Sequence, residues 1–220
     1  MTSSPRFAPQ LQIEDWGLID YHQAFNRQAE MVAAHLRGER RDTLVLAEHP
    51  ATVTLGRRGS AADLRRGAAA LDNQGVVLQQ VNRGGLATAH EPGQLVVYPV
   101  LALPVHDLRQ FSRQFLDCVV ALLADYGVTG ELKSGAPGVW VNGAKICSFG
   151  IALKKWVSSH GIALNLNNSL QTFDLIIPCG VPTERLTSLA GELGEPVDLD
   201  LVKQQFVAHF CAGFGYQPVY

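Results

Sequence analysis

The strongest constraint lies in residues 139–166, where apolar strands follow one another and the first two are joined by Asn142-Gly143. Asn-Gly between apolar runs marks a tight hairpin, because both central residues must take positive φ. A chain that commits this stretch to strand pairing needs helices to cover the sheet it begins. The clearest helix spans residues 107–126, with Asp107 as N-cap, Gly127 as the stop, and Phe111, Phe115, Cys118, Val119, Leu122 and Tyr126 on one stripe. Further helices fit residues 20–37 and 199–210, and short strands fit 43–47, 52–55, 76–81 and 95–101. Helices scattered among hairpin-linked strands predict an α+β domain with a mostly antiparallel or mixed sheet, not regular βαβ winding. No repeat, low-complexity run or Gly/Ser-rich linker divides the chain, so residues 1–220 are expected to form one domain.

Composition narrows the function classes. With 47% hydrophobic and 17% charged residues, the chain is too apolar for disorder, and at 220 residues it can build a core without disulfide or metal staples. A net charge of −2 offers no global field to nucleic acid or to an anionic membrane. The opening MTSSPRFAPQ has no apolar signal core, and the most apolar stretch, LVVYPVLALPV, is too short and Pro-broken to span a bilayer. A cytoplasmic location is expected. Cys118, Cys147, Cys179 and Cys211 are far apart and show no ligand spacing, so they read as free thiols in a reducing compartment, with no metal.

Three segments carry residues that pure structure does not require. In RGGLATAHEPGQLVVYP, residues 83–99, adjacent glycines, Thr88, His90 and Pro92-Gly93 form either a cradle for a ligand approaching main-chain amides or an ordinary loop. In GVWVNGAKICSFGIAL, residues 138–153, strand alternation puts Lys145 on the face of Cys147, Phe149 and Ile151. Such a lysine either snorkels to solvent, which the residues alone favour, or is partly desolvated and suited to proton transfer. The third segment runs from HGIALNLN at His160 to IIPCGVP, where Cys179 stands between Pro178 and Gly180 in a turn that can expose a thiol. Cys118 and Cys211 fall on helix faces and Cys147 mid-strand, so these read as packing. A nucleophilic Cys179 needs a base or cation, and His49, His90, His160 and Lys145 are the candidates.

Together RGGLATAHEPGQLVVYP, PGVWVNGAKICSFGI and SSHGIALNLNNSLQTFDLIIPCG closely resemble the octanoyltransferase family of lipoate biosynthesis, in order, over about residues 43–179. The resemblance implies the fold of biotin and lipoate ligases, with a larger and a smaller mixed sheet and flanking helices. It implies ATP-independent, cofactor-free transfer of an octanoyl group from acyl carrier protein to a lysine of lipoyl domains, those of 2-oxoacid dehydrogenase E2 subunits and the glycine cleavage H protein. The family's acyl-thioester nucleophile falls on Cys179, and its thiol-activating lysine on Lys145, overturning the snorkel. Its substrate-contacting stretches fall on Arg83, Gly84, Gly85, Leu86, Ala87, Thr88, Ala89 and His90, on Ser148, Phe149 and Gly150, and on Gly161, Ile162 and Ala163.

With those roles assigned, Gly84, Gly85 or Gly180 become candidate N–H donors to the oxyanion. The paired cations Arg57-Arg58, Arg65-Arg66 and Lys154-Lys155 become candidate contacts for an acidic carrier. One departure stands out: the family usually has glycine after the histidine of this motif, whereas Glu91 follows His90 here. Glu91 either sits there harmlessly or places a carboxylate near the entrance. An ATP-dependent lipoate ligase and a non-catalytic carrier-binding homologue are the competing readings.

Overall fold

The protein is described by a computed structural model that covers residues 8–103, 105–177 and 185–220. In chain order its elements are β1 (Gln10–Leu18), α1 (Tyr21–Leu36), β2 (Thr43–Glu48), β3 (Thr52–Leu55), α2 (Ala68–Asp72), β4 (Val77–Gln80), β5 (Ala87–His90), β6 (Gln94–Val100), α3 (Leu108–Asp125), β7 (Glu131–Lys133), β8 (Ala136–Val141), β9 (Ala144–Lys154), β10 (Val157–Asn165), α4 (Leu189–Leu193), α5 (Leu199–Phe214) and β11 (Gln217–Val219). Short 3-10 turns lie at Ala61–Asp63 and Gln171–Leu175. Eight strands form a large sheet in the order β11-β1-β2-β6-β10-β9-β8-β7, and three form a small one, β4-β3-β5.

Both sheets are mixed. β1 runs parallel to β2 and β11, and β3 parallel to β4, while the remaining pairs are antiparallel. The β1–α1–β2 crossover in the large sheet and the β3–α2–β4 crossover in the small one are βαβ elements in sheets whose other neighbouring strands are mostly antiparallel. β1 escapes the sequence reading because only Leu11 and Ile13 are buried before the apolar alternation is interrupted by Glu14, Asp15 and a bulge. Residues 87–90, expected in a loop, are instead the buried strand β5.

The expected hairpin forms with Asn142 at φ 50 and Gly143 at φ 79. A second tight hairpin joins β9 to β10 through Lys155 and Trp156, both at positive φ without a glycine. Helix α3 begins at Asp107, whose carboxylate accepts from the N–H groups of Arg109 and Gln110, an N-cap worth about 1 kcal/mol. Its stripe from Phe111 to Leu122 is buried, and Tyr126 stands at the C-cap before Gly127 at φ +70. Phe115 on this stripe meets Phe210 of α5 edge to face, ring centroids 5.6 Å apart. α3 and α5 thus cover one face of the large sheet, around Leu95, Val97, Val139, Ile146 and Leu164. Part of the opposite face, Val45, Ala47, Val96 and Val100, packs against α1.

Candidate active site

The small sheet docks on the large one where the RGG loop meets β9. The Gly84 N–H donates to the Ile151 carbonyl at 3.0 Å, and a Cβ on Gly150 would come within 3.0 Å of Arg83 Cδ and the Gly84 carbonyl oxygen. Glycine at 150 is therefore what lets the loop lie flat on the sheet. Between the sheets opens a narrow slot, a cavity of about 40 Å³. Its lining includes Arg83, Gly85, Leu86, Ala87, Thr88, His90, Ser148, Phe149, Gly150, Gly161, Ile162 and Ala163. Three separate stretches of sequence are thereby brought to one cavity.

Gly84 and Ala89 are not among the lining residues, and the Gly84 N–H, spent on Ile151, is not available to an oxyanion. Arg83 lines the slot, but its guanidinium donates to the carbonyls of Gly84 and Thr54 and to the Thr54 hydroxyl, clamping the loop to β3. Tyr21, Val96, Tyr98 and His160 complete the lining. Tyr98 falls in residues 83–99 and His160 opens HGIALNLN. Tyr21 carries no local signal, because only the α1 packing brings it to the slot.

Of the three candidate histidines, His90 and His160 line the slot and His49 packs against His90. His49 uses Nδ1 on the Ile19 carbonyl and Nε2 on the Tyr98 hydroxyl, at 2.7 and 2.6 Å, so neither nitrogen is left for proton transfer. Burial pushes it down to about 4. His160 is pushed down to about 3 by burial and then by the Arg83 charge, and burial with the nearby His49 holds His90 well below 6.5. None of them is a cation near neutral pH.

Lys145 is only 2% exposed, so it does not snorkel. Nor does it share the face of Cys147, Phe149 and Ile151. Val139 pairs with Cys147 but Trp140 pairs with Lys145, so Ile146 is an extra residue on β9, a β-bulge. Ile146 and Cys147 consequently both enter the main core, and Lys145 turns to the opposite face with Trp140. Its Nζ lies 5.0 Å from the Trp140 ring centroid, in cation–π range. Its stem crosses Gly138, where a Cβ would stand 3.0 Å from Lys145 Cε and 2.4 Å from the Cys147 carbonyl oxygen. Gly138 is thus a supporting residue that its sequence context does not reveal, since the Lys145 contact arises only after the bulge.

The Lys145 backbone also holds the returning chain, donating to the Arg185 carbonyl at 2.7 Å and accepting from the Thr187 N–H at 3.0 Å. Cys179 and Gly180 lie outside the described residues. The other three thiols are buried: Cys118 is pushed up to about 12, and Cys147 and Cys211 are also raised, in each case chiefly by desolvation. Arg57 and Arg58 are exposed beside the slot, their N–H groups donating to the carbonyls of Arg83 and Gly85. Arg65 instead turns its Nε to the Ile176 carbonyl at 2.6 Å. Among the described residues no cluster of His, Cys, Asp or Glu could hold a metal, and no helix is long and apolar enough to cross a membrane.

The profile of the lipoyl protein ligase A/B catalytic domain matches residues 20–211. An octanoyltransferase from Roseiflexus sp. (strain RS-1) is 44% identical over 94% of this chain and 89% of its own length. One from Chloroflexus aggregans is 41% identical over 95% of this chain and 97% of its own. The chain belongs to the octanoyltransferase family. Its members are acyltransferases, and its fold is that of the lipoate and biotin ligases. A bi-partite lipoate protein ligase from Thermoplasma acidophilum superposes with a TM-score of 0.70 at 16% identity, over 98% of this chain and 88% of the other. A biotin protein ligase from Aquifex aeolicus, in complex with biotin and ATP, gives 0.55 at 16% identity, over 93% and 70%.

Proposed function

We propose that the protein transfers an octanoyl group from the thioester of an acyl carrier protein to a lysine of lipoyl domains, through a thioester on Cys179. The carrying observation is an apolar slot built from three motif segments, with a buried lysine whose backbone is bonded to Arg185 and Thr187, shortly after Cys179 in the chain. Cys118, Cys147 and Cys211, buried and raised, are poor nucleophiles, which leaves Cys179 as the thiol suited to the task.

In the first half-reaction the Cys179 proton passes to the Lys145 amine, or the thiolate pairs with the Lys145 ammonium. The thiolate attacks the donor carbonyl, the new C–S bond replaces the old one, and the carrier thiol leaves with a proton. Exchange between two thioesters is nearly isoenergetic, so no ATP is consumed. In the second half-reaction the acceptor lysine, as free amine, attacks the enzyme thioester, the C–N bond of the amide replaces the C–S bond, and the Cys179 thiolate is released while the amine's proton passes to Lys145. Acceptors of this kind are the lipoyl domains of 2-oxoacid dehydrogenase E2 subunits and the glycine cleavage H protein. Arg57 and Arg58, exposed at the slot, suit an acidic carrier.

Intact-mass measurement tests the reading. Incubation with octanoyl carrier protein and no ATP is expected to add one octanoyl group, absent from Cys179→Ala. Acyl transfer that requires ATP and survives this substitution would sink it in favour of a ligase.

A further inference from the structure

Glu91 is 4% exposed, in the turn between β5 and β6, and its carboxylate reaches across to a different part of the chain. It accepts from the Leu170 N–H at 2.8 Å, from the Ser169 hydroxyl at 3.1 Å and from the Thr172 N–H. A buried carboxylate is tolerated only when hydrogen-bonded in this way. Leu170 itself sits at φ 66, in the left-handed region that costs a branched side chain strain, and so must be held there by its surroundings.

The gripped residues open the Gln171–Leu175 turn, which continues into an anchored run. The Leu175 carbonyl accepts from the Arg65 N–H at 2.9 Å, Ile176 bridges to Leu64, and the Ile177 N–H donates to the Asp63 carbonyl at 2.8 Å. Ile177 is followed directly by the Pro-Cys-Gly motif. On the far side of that motif, Arg185 and Thr187 are bonded to Lys145. Lys145 fixes the exit of this chain segment, and the Glu91 carboxylate grips the turn that starts its entry. The neighbouring turn is tied to the same stretch: the Asn167 N–H donates to the Gly93 carbonyl at 2.9 Å, and a Cβ on Gly93 would stand 3.0 Å from the Asn168 nitrogen.

We infer that Glu91 is a positioning residue for the nucleophile: by pinning residues 169–172 it sets how the chain runs into the Pro-Cys-Gly motif, and so the reactivity of the Cys179 thiol. The inference rests on the Cys179 reading above. It also recasts the departure from the family's glycine, because a carboxylate here braces the loop from inside and leaves the slot entrance to other residues.

Single-turnover octanoylation of Cys179, read by quenched intact mass, tests this in wild type, Glu91→Ala and Glu91→Gln, alongside the pH dependence of Cys179 alkylation by iodoacetamide. The alanine variant is expected to acylate at least tenfold more slowly, with a shifted alkylation profile and faster amide exchange over residues 170–177. The glutamine variant, which keeps an oxygen for the Leu170 N–H, is expected within about threefold of wild type. It also serves as the folded comparison if the alanine variant is unstable, its alkylation profile then expected to shift measurably. Lower melting temperatures with unchanged acylation rate and alkylation profile would overturn the inference and leave Glu91 a stability residue. Wild type that takes no octanoyl group on Cys179 overturns the underlying reading itself, before any variant is compared.

Discussion

The two faces of β9 differ more in chemistry than their shared backbone suggests. One face delivers Ile146, Cys147 and Ile151 to the main core; the other carries Ser148 and Gly150 to the slot and Lys145, which does not line it, to Trp140 and Gly138. Cys147 and Lys145 are two positions apart, a spacing that regular alternation would place on one face. The extra residue Ile146 separates them, so a thiol and an amine that strict alternation would stack together are sent to opposite sides. The lesson is that one bulge can convert a buried core strand into a strand with a chemical face, without changing the residues on it.

The largest test of this contrast is Lys145→Met, which keeps the stem and removes the amine. Octanoylation in single turnover is expected to fall about 10²–10³-fold, roughly 3–4 kcal/mol of transition-state stabilisation, with the melting temperature within a few degrees of wild type. Retained activity would show the polar face to be structural only. Gly138→Ala comes next. Its Cβ would press on the Cys147 carbonyl oxygen and on Lys145 Cε, so a stability loss of about 1–3 kcal/mol and a fall in octanoylation are expected together, measured by denaturant melts and the same assay.

Acid should separate the regions differently. His49, His90 and His160 have lowered native values, so below about 6.5 the unfolded chain binds protons that the folded chain refuses. Their stabilising effect is fully present above that pH and is lost as pH falls towards about 4, at up to ~1.4 kcal/mol per pH unit for each histidine. Denaturant midpoints from pH 7 to 4.5 measure it, and His49→Asn should flatten the slope. The smallest effect belongs to the core face: Cys147→Ala should cost about 1 kcal/mol of stability and leave octanoylation unchanged.

The elements whose apolar stripe and end signals agree were legible in the sequence: α3 between Asp107 and Gly127, α5, and the Asn142-Gly143 hairpin. β1, β5 and the Lys155-Trp156 hairpin were not. β5 reads as a loop because Ala87 to His90 are small or polar residues, buried only where the small sheet packs on the Gln171–Leu175 turn and the large sheet, and the hairpin lacks the glycine that usually announces such a turn. The slot segments could be recognised from their motifs. The bulge at Ile146, the support from Gly138 and the arrival of Tyr21 depend on register and packing between distant parts of the chain, which no local pattern encodes.

The three desolvated thiols have a consequence for oxidative damage. Peroxide attacks thiolate, and Cys118, Cys147 and Cys211 are held protonated and out of reach. If Cys179 carries the acyl group, oxidative inactivation should follow single-hit kinetics, and prior octanoylation should protect the enzyme completely. The reaction intermediate would then double as a redox cap, and a supply of acyl donor would set how long the enzyme survives an oxidant.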